Sequence, residues 1–175
     1  MKSLRLFLAL TFIFNIVIAQ TQTINQEKSV VEFKIGAMGF GKTKGTFKNM
    51  KGDFSFNATA LNNSNFNVCV DASTVNTKND KRDKHLKNED FFNVDVYPKI
   101  CFESTSITKL NDTYITKGNL ILHGITKEVE IPFNFKNNTF TGTIEINRLD
   151  YGLGEGTGTF MVSDKVKITI TCVIE

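Results

Sequence analysis

The sequence predicts an all-β fold: about eight antiparallel strands in a sandwich or closed barrel, with a short helical segment near residues 80–92. Three observations carry this. Apolar residues recur at every second position in eight stretches, the period of a strand with one buried face. Turn-forming pairs (Asn62-Asn63, Asn111-Asp112, Asn137-Asn138) and glycines punctuate those stretches at short intervals. The chain has 16 phenylalanines, no tryptophan and only three cysteines, so an apolar core rather than a disulfide framework must hold it together.

Residues 1–19, MKSLRLFLALTFIFNIVIA, read as a secretory signal peptide. Lys2 and Arg5 form the basic region, an apolar run follows, and Val17 and Ala19 occupy the positions a signal peptidase reads. The mature chain, 20–175, is long enough for one domain with a core, and it is expected to be periplasmic or secreted. Charge is nearly balanced, with 21 Lys and Arg against 18 Asp and Glu, so the basic excess of a nucleic-acid binder is missing.

The first strand is SVVEFKI (29–35), with Val31, Phe33 and Ile35 on its apolar face. GAMGFGKT (36–43) has the spacing of a phosphate-binding loop. Such a loop needs a helix whose N-terminus faces the anion, yet KGTFKNMKGDFSF follows, which reads as strand and turn. The stretch is therefore a hairpin connection, with Phe40 over a barrel mouth, and no nucleotide is expected. Phe47, Phe54 and Phe56 point inward from this second region. FNVCVD (66–71) alternates Phe66, Val68 and Val70 with an outward Cys69. The charged segment 76–92, NTKNDKRDKHLKNEDFF, lacks alternation and accommodates one or two helical turns.

KICFES (99–104) turns Ile100 and Phe102 inward and Cys101 outward. GNLILHG (118–124) offers Leu120 and Leu122. EVEIPFNF (128–135) alternates Val129, Ile131, Phe133 and Phe135 with polar residues, and Pro132 fits only where its neighbour needs no N–H. TFTGTIEIN (139–147) contributes Phe140, Ile144 and Ile146, GLGEGTG (152–158) reads as a hairpin tip, and KVKITITCV (165–173) closes the series with Val166, Ile168 and Ile170.

Little in this pattern points to catalysis. His85 and His123 lie on different elements, too scattered for a metal site. No G-x-S-x-G elbow and no C-x-x-C pair occurs. Cys69 and Cys101 share the outward face of consecutive strands, which permits either a cross-strand disulfide or two free thiols. Alternation alone leaves open whether the interior is filled or lines a space.

Several motifs in order resemble the YceI-like proteins, which are exported bacterial lipid-binding barrels. The residues are SVVEF (29–33), TKNDKRDKHL (77–86), DFFNV (90–94), YPKICF (97–102), GNLILHGITKEV (118–129), RLDYG (148–152) and VSDKVKI (162–168). Gly36, Asn93 and Tyr151 depart from the family pattern. The resemblance implies a lipocalin-like, extended antiparallel barrel, without catalytic activity or cofactor, holding an isoprenoid, a quinone or a similar amphiphile. On that basis the channel lining is expected from Phe33, Ile35, Phe47, Phe54, Phe56, Phe66, Val68, Ile100, Phe102, Leu120, Leu122, Phe133, Phe135, Phe140 and Ile144. Arg82, His85 and Arg148 are the candidates for an anionic head group, although Arg82 also suits a pairing with Asp83 that pins the RDKHL turn. Phe91, Phe92 and Tyr97 are expected to pack the loop across the barrel. Transient membrane contact and a homodimer are compatible with such a fold.

Overall fold

Each strand pairs with its sequence neighbour, and the last returns to the first. In the computed structural model, which describes residues 22–37, 41–157 and 162–175, the strands are β1 (Val30–Ala37), β2 (Gly41–Ser55), β3 (Asn65–Asn76), β4 (Lys99–Leu110), β5 (Thr113–Leu122), β6 (Ile125–Lys136), β7 (Thr139–Asn147) and β8 (Val162–Val173). All pairings are antiparallel, and β8 joins β1 to close an up-and-down barrel. Closure satisfies the ladder that an open sheet would leave exposed at its edges.

Three hairpins are tight two-residue turns, and their chemistry explains their shape. Asn137 and Asn138 between β6 and β7, and His123 and Gly124 between β5 and β6, all have positive φ. That geometry matches the right-handed twist of the flanking strands and favours asparagine and glycine. Asn111 opens the β4–β5 turn in the same region of backbone space, with φ 55°.

β2 corrects the reading of residues 44–56 as strand and turn. It is one fifteen-residue strand, with register shifts between Thr46 and Lys48 and between Lys48 and Lys51. Asn49, with φ 58°, lies in the irregular stretch. Bulges bend a strand without ending it, so the residues that looked like a break instead curve β2 around the barrel. Pro132 falls where the β6–β7 ladder stops: pairing runs from Lys136↔Thr139 to Phe133↔Gly142 and no further. The proline has no N–H to extend it.

Because successive strands run in opposite directions, the connections alternate between the two ends. One end carries the segments 77–98 and 148–157 together with the His123-Gly124 turn. The other carries the 56–64 connection, the Asn111 and Asn137 turns, and the chain segment around Ile24, which pairs with Ile174. The helical expectation near 80–92 narrows to α1 (Asp80–Leu86), capped by the Asn79 side chain accepting from the Arg82 amide at 3.0 Å. Phe40 and the expected signal peptide lie outside the described residues, as does the tail of the 152–158 glycine run.

Candidate functional site

Inward residues differ in bulk along the barrel axis, and that difference makes the site. Near the turn end, Phe56, Tyr114, Phe133 and Phe140 are buried with Ile107 and Ile174, and Phe54, Phe66 and Phe135 pack against them. Other inward positions, Gly45 near the loop end, Gly118 midway along β5 and Gly142 beside Phe133, carry no side chain to fill the space.

Two of these glycines accept aromatic rings from neighbouring positions. A Cβ on Gly45 would sit 2.3 Å from Cζ of Phe33, its register partner on β1. A Cβ on Gly118 would sit 2.7 Å from Cζ of Phe102 and 2.3 Å from the Glu103 carbonyl oxygen. Both rings therefore lie flat against the wall instead of projecting across it. Eight strands enclose a space that side chains can either fill or leave for one small ligand, and here the flattened rings leave it.

The result is an apolar cavity of about 350 Å³. It runs from Phe66, Phe133 and Phe140 at its floor to Arg82, Leu86, Phe91, Phe92, Leu153 and Val162 beneath the loops. Of the expected lining residues, Phe33, Ile35, Phe47, Phe54, Phe66, Val68, Ile100, Phe102, Leu120, Leu122, Phe133, Phe140 and Ile144 border it. Phe56 and Phe135 do not, because they stand in a second aromatic layer behind the floor: Phe56 is 5.1 Å from both Phe135 and Phe140, centroid to centroid. The expected lining lacks Met50, Leu86 and Leu153, which lie outside any recognised alternation, and also Val31, Val70, Ile131, Ile146, Val166, Ile168 and Ile170, whose inward alternation is legible.

The loop end is tied together by polar groups, Arg82 and Asp83 among them. Thr77 is buried between two of them. Arg82 Nε donates to Thr77 Oγ1 at 2.7 Å and Nη2 to the Thr77 carbonyl at 3.1 Å, while the Asp83 carboxylate accepts from the Thr77 amide at 2.8 Å and from its hydroxyl. Arg82 and Asp83 thus grip a common residue and pin the turn through it, rather than through each other. Arg82 still borders the cavity, and its Nη1 has no hydrogen-bond partner among the described residues.

The other two head-group candidates are placed differently. Arg148 is 3% exposed and has every N–H engaged. Nε donates to the Ser163 carbonyl, Nη1 to the Leu153 and Gly154 carbonyls at 2.7 Å each, and Nη2 to Thr157, Val162 and the Asp164 carboxylate. Its stem borders the cavity, but its guanidinium staples the β7–β8 connection and has no donor left for a ligand. The positive charge is compensated by Asp164 at 3.4 Å and by aligned carbonyl dipoles. His85 is exposed, 3.7 Å from Asp90 and edge-on to Phe91, outside the cavity.

Phe91 and Phe92 do lie across the loop end. Phe92 packs edge-on against Phe47 at 5.1 Å, and Phe91 fills the space where Gly154 lacks a Cβ. The Gly154 amide donates to the Asp90 carbonyl at 2.8 Å, so the two long connections meet over the cavity. Tyr97 packs instead against His123 at 4.8 Å, whose Nδ1 lies 3.0 Å from the Tyr151 carbonyl.

Cys69 and Cys101 face each other across β3 and β4 and form a disulfide. Cys172 is free and borders the cavity, and burial pushes its thiol up to about 11. Among the described residues, no cluster of three or more His, Cys, Asp or Glu could hold a metal ion.

A family model described as the YceI-like domain matches residues 22–174. The chain belongs to that family. It is 33% identical over 138 residues to a UPF0312 protein of Pseudomonas savastanoi pv. phaseolicola, covering 73% of this chain and 72% of the relative. Its barrel is similar to the crystal structure of Burkholderia cenocepacia BcnA, with TM-score 0.77 and 23% identity over 86% of this chain and 98% of that one. It is also similar to a polyisoprenoid binding domain from Saccharophagus degradans implicated in plant cell wall breakdown, with TM-score 0.68 and 16% identity over 89% and 98% of the two chains. At these identities the structural likeness establishes the fold.

Proposed function

We propose that this protein binds one long-chain amphiphile of the isoprenoid or quinone type, with its tail in the barrel and its head group under the loops beside Arg82. The observation that carries the reading is the cavity itself: about 350 Å³ walled by apolar side chains from all eight strands. An apolar tail entering it leaves water at ~0.8 kcal/mol per methylene, without needing directed polar contacts. The polyisoprenoid binding domain among the structural neighbours supports the same ligand class.

The protein acts as a binding module rather than an enzyme. The polar side chains at the cavity are few, and Thr116 and Arg148 are already engaged with backbone carbonyls. With the expected signal peptide, the role becomes that of an exported carrier, store or sequesterer of its lipid, in the periplasm or outside the cell.

Mass spectrometry of organic extracts tests this on protein purified from its native envelope and on refolded protein incubated with polyprenyl and quinone lipids. One lipid per folded chain is the expected result. A folded protein that comes out empty and takes up neither class overturns the reading.

A further inference from the structure

We propose that Phe56 is the stop that sets how long a tail this barrel accepts. The inference rests on the binding reading above and adds a limit to it. The cavity floor is made by the rings of Phe66, Phe133 and Phe140, and all three lean on Phe56, with centroids 6.1, 5.9 and 5.1 Å away. Tyr114 and Phe135 brace Phe56 from other sides, at 5.3 and 5.1 Å, mostly edge to face. Edge-to-face packing is the favourable arrangement for such rings, so the floor is a rigid double layer rather than a set of side chains free to swing away.

Phe56 is also the one member of this group that no strand supplies. It follows the last residue of β2, Ser55, and enters from the connection to β3. That connection is itself fastened: the Asn57 amide donates to Ser64 Oγ at 2.9 Å and the Ala60 amide to the Asn57 carbonyl at 3.0 Å. A pinned loop thus inserts an 8% exposed ring into the turn end of the barrel. A growing tail gains affinity until its end meets the front rings, and those cannot retreat while Phe56 is behind them.

The test uses linear saturated fatty acids of increasing length as probes, competed against a fluorescent fatty acid on the full mature chain. For wild type, Kd should fall up to about fourfold per added methylene and then stop falling at one length. In Phe56→Ala that break point should move to longer chains, while the short members bind as in wild type. Phe56→Leu, which keeps an apolar hub and carries the test if the alanine variant does not fold, should move it in the same direction by less. An unmoved break point in a folded variant that binds short acids normally overturns the proposal and leaves the binding reading intact. A wild-type protein that binds no acid of any length overturns the proposal, and one that also takes up no polyprenyl or quinone lipid overturns both.

Discussion

Gly45→Ala addresses the feature on which the cavity depends. The new Cβ would lie 2.3 and 2.5 Å from two ring carbons of Phe33, and 2.9 Å from the Thr77 methyl. Contact between carbons is comfortable only near ~3.5 Å, so the ring must retreat by about 1 Å or more. Behind it is the barrel wall and in front of it is the cavity, which leaves only the cavity. Because the ring has room, the stability penalty should stay near the lower end of the overpacking range, ~1 kcal/mol. The smaller chain entropy of alanine in a strand offsets part of that. Binding should suffer more: each methylene the ring displaces forfeits ~0.8 kcal/mol, so losing two weakens Kd by about 15-fold. Thermal unfolding and competitive titration with a fluorescent fatty acid measure the two effects separately. Phe33→Leu in the same chain should restore affinity by removing the displaced ring. Unchanged affinity in a folded Gly45→Ala protein would refute the argument that glycine keeps this barrel hollow.

Four further outcomes are expected. Replacing Cys69 and Cys101 with alanine removes a cross-link of sequence separation 32; it should lower stability by ~3–4 kcal/mol on chain-entropy grounds, seen in urea unfolding. Arg148→Met leaves the buried carbonyls of Leu153 and Gly154 without donors, so it should cost at least ~3 kcal/mol and speed hydrogen exchange at the Leu153 and Gly154 amides. Arg82→Gln should weaken an anionic amphiphile about 10-fold, as expected for loss of one charge-assisted hydrogen bond, and leave a neutral-headed one of equal length unchanged in the same titration. The Cys172 thiol titrates near 11 when folded against 9.0 for the unperturbed group. The unfolded chain therefore loses this proton first, and the stability this thiol contributes, on the order of 2–3 kcal/mol, should be full below about pH 9 and lost as pH rises to about 11. Denaturant midpoints of wild type and Cys172→Ser across that range check it.

The legible parts of this molecule are those written in local order. Alternation in EVEIPFNF and TFTGTIEIN identified which face of β6 and β7 turns inward, and paired asparagines marked their turn. β2 was harder to read, because Asn49 and Gly52 look like chain breaks, and only pairing with β3 makes Asn49 part of a bulged stretch and Gly52 an ordinary ladder residue opposite Val68. Phe56 and Phe135 illustrate the limit for the site. Their alternation is as good as that of Phe54 and Phe133, yet they stand behind the cavity floor, because position along the barrel axis follows from register and not from spacing.

By itself the sequence determined the strands other than the full length of β2, their faces, the all-β class and the family pattern, since each depends on residues close together in the chain. The tertiary structure alone decided that the interior is hollow near the loops and filled near the turns. That outcome depends on which residue meets which across strands, such as Phe33 with Gly45. It also separated three head-group candidates of the same chemistry. Arg148 gives its donors to carbonyls of a connection folded back over it and His85 faces water, while Arg82 alone borders the cavity with an Nη1 that has no partner among the described residues. Those partners come from residues 5 to 16 positions on in the case of Arg148, and a folded connection is needed to bring their oxygens to one guanidinium.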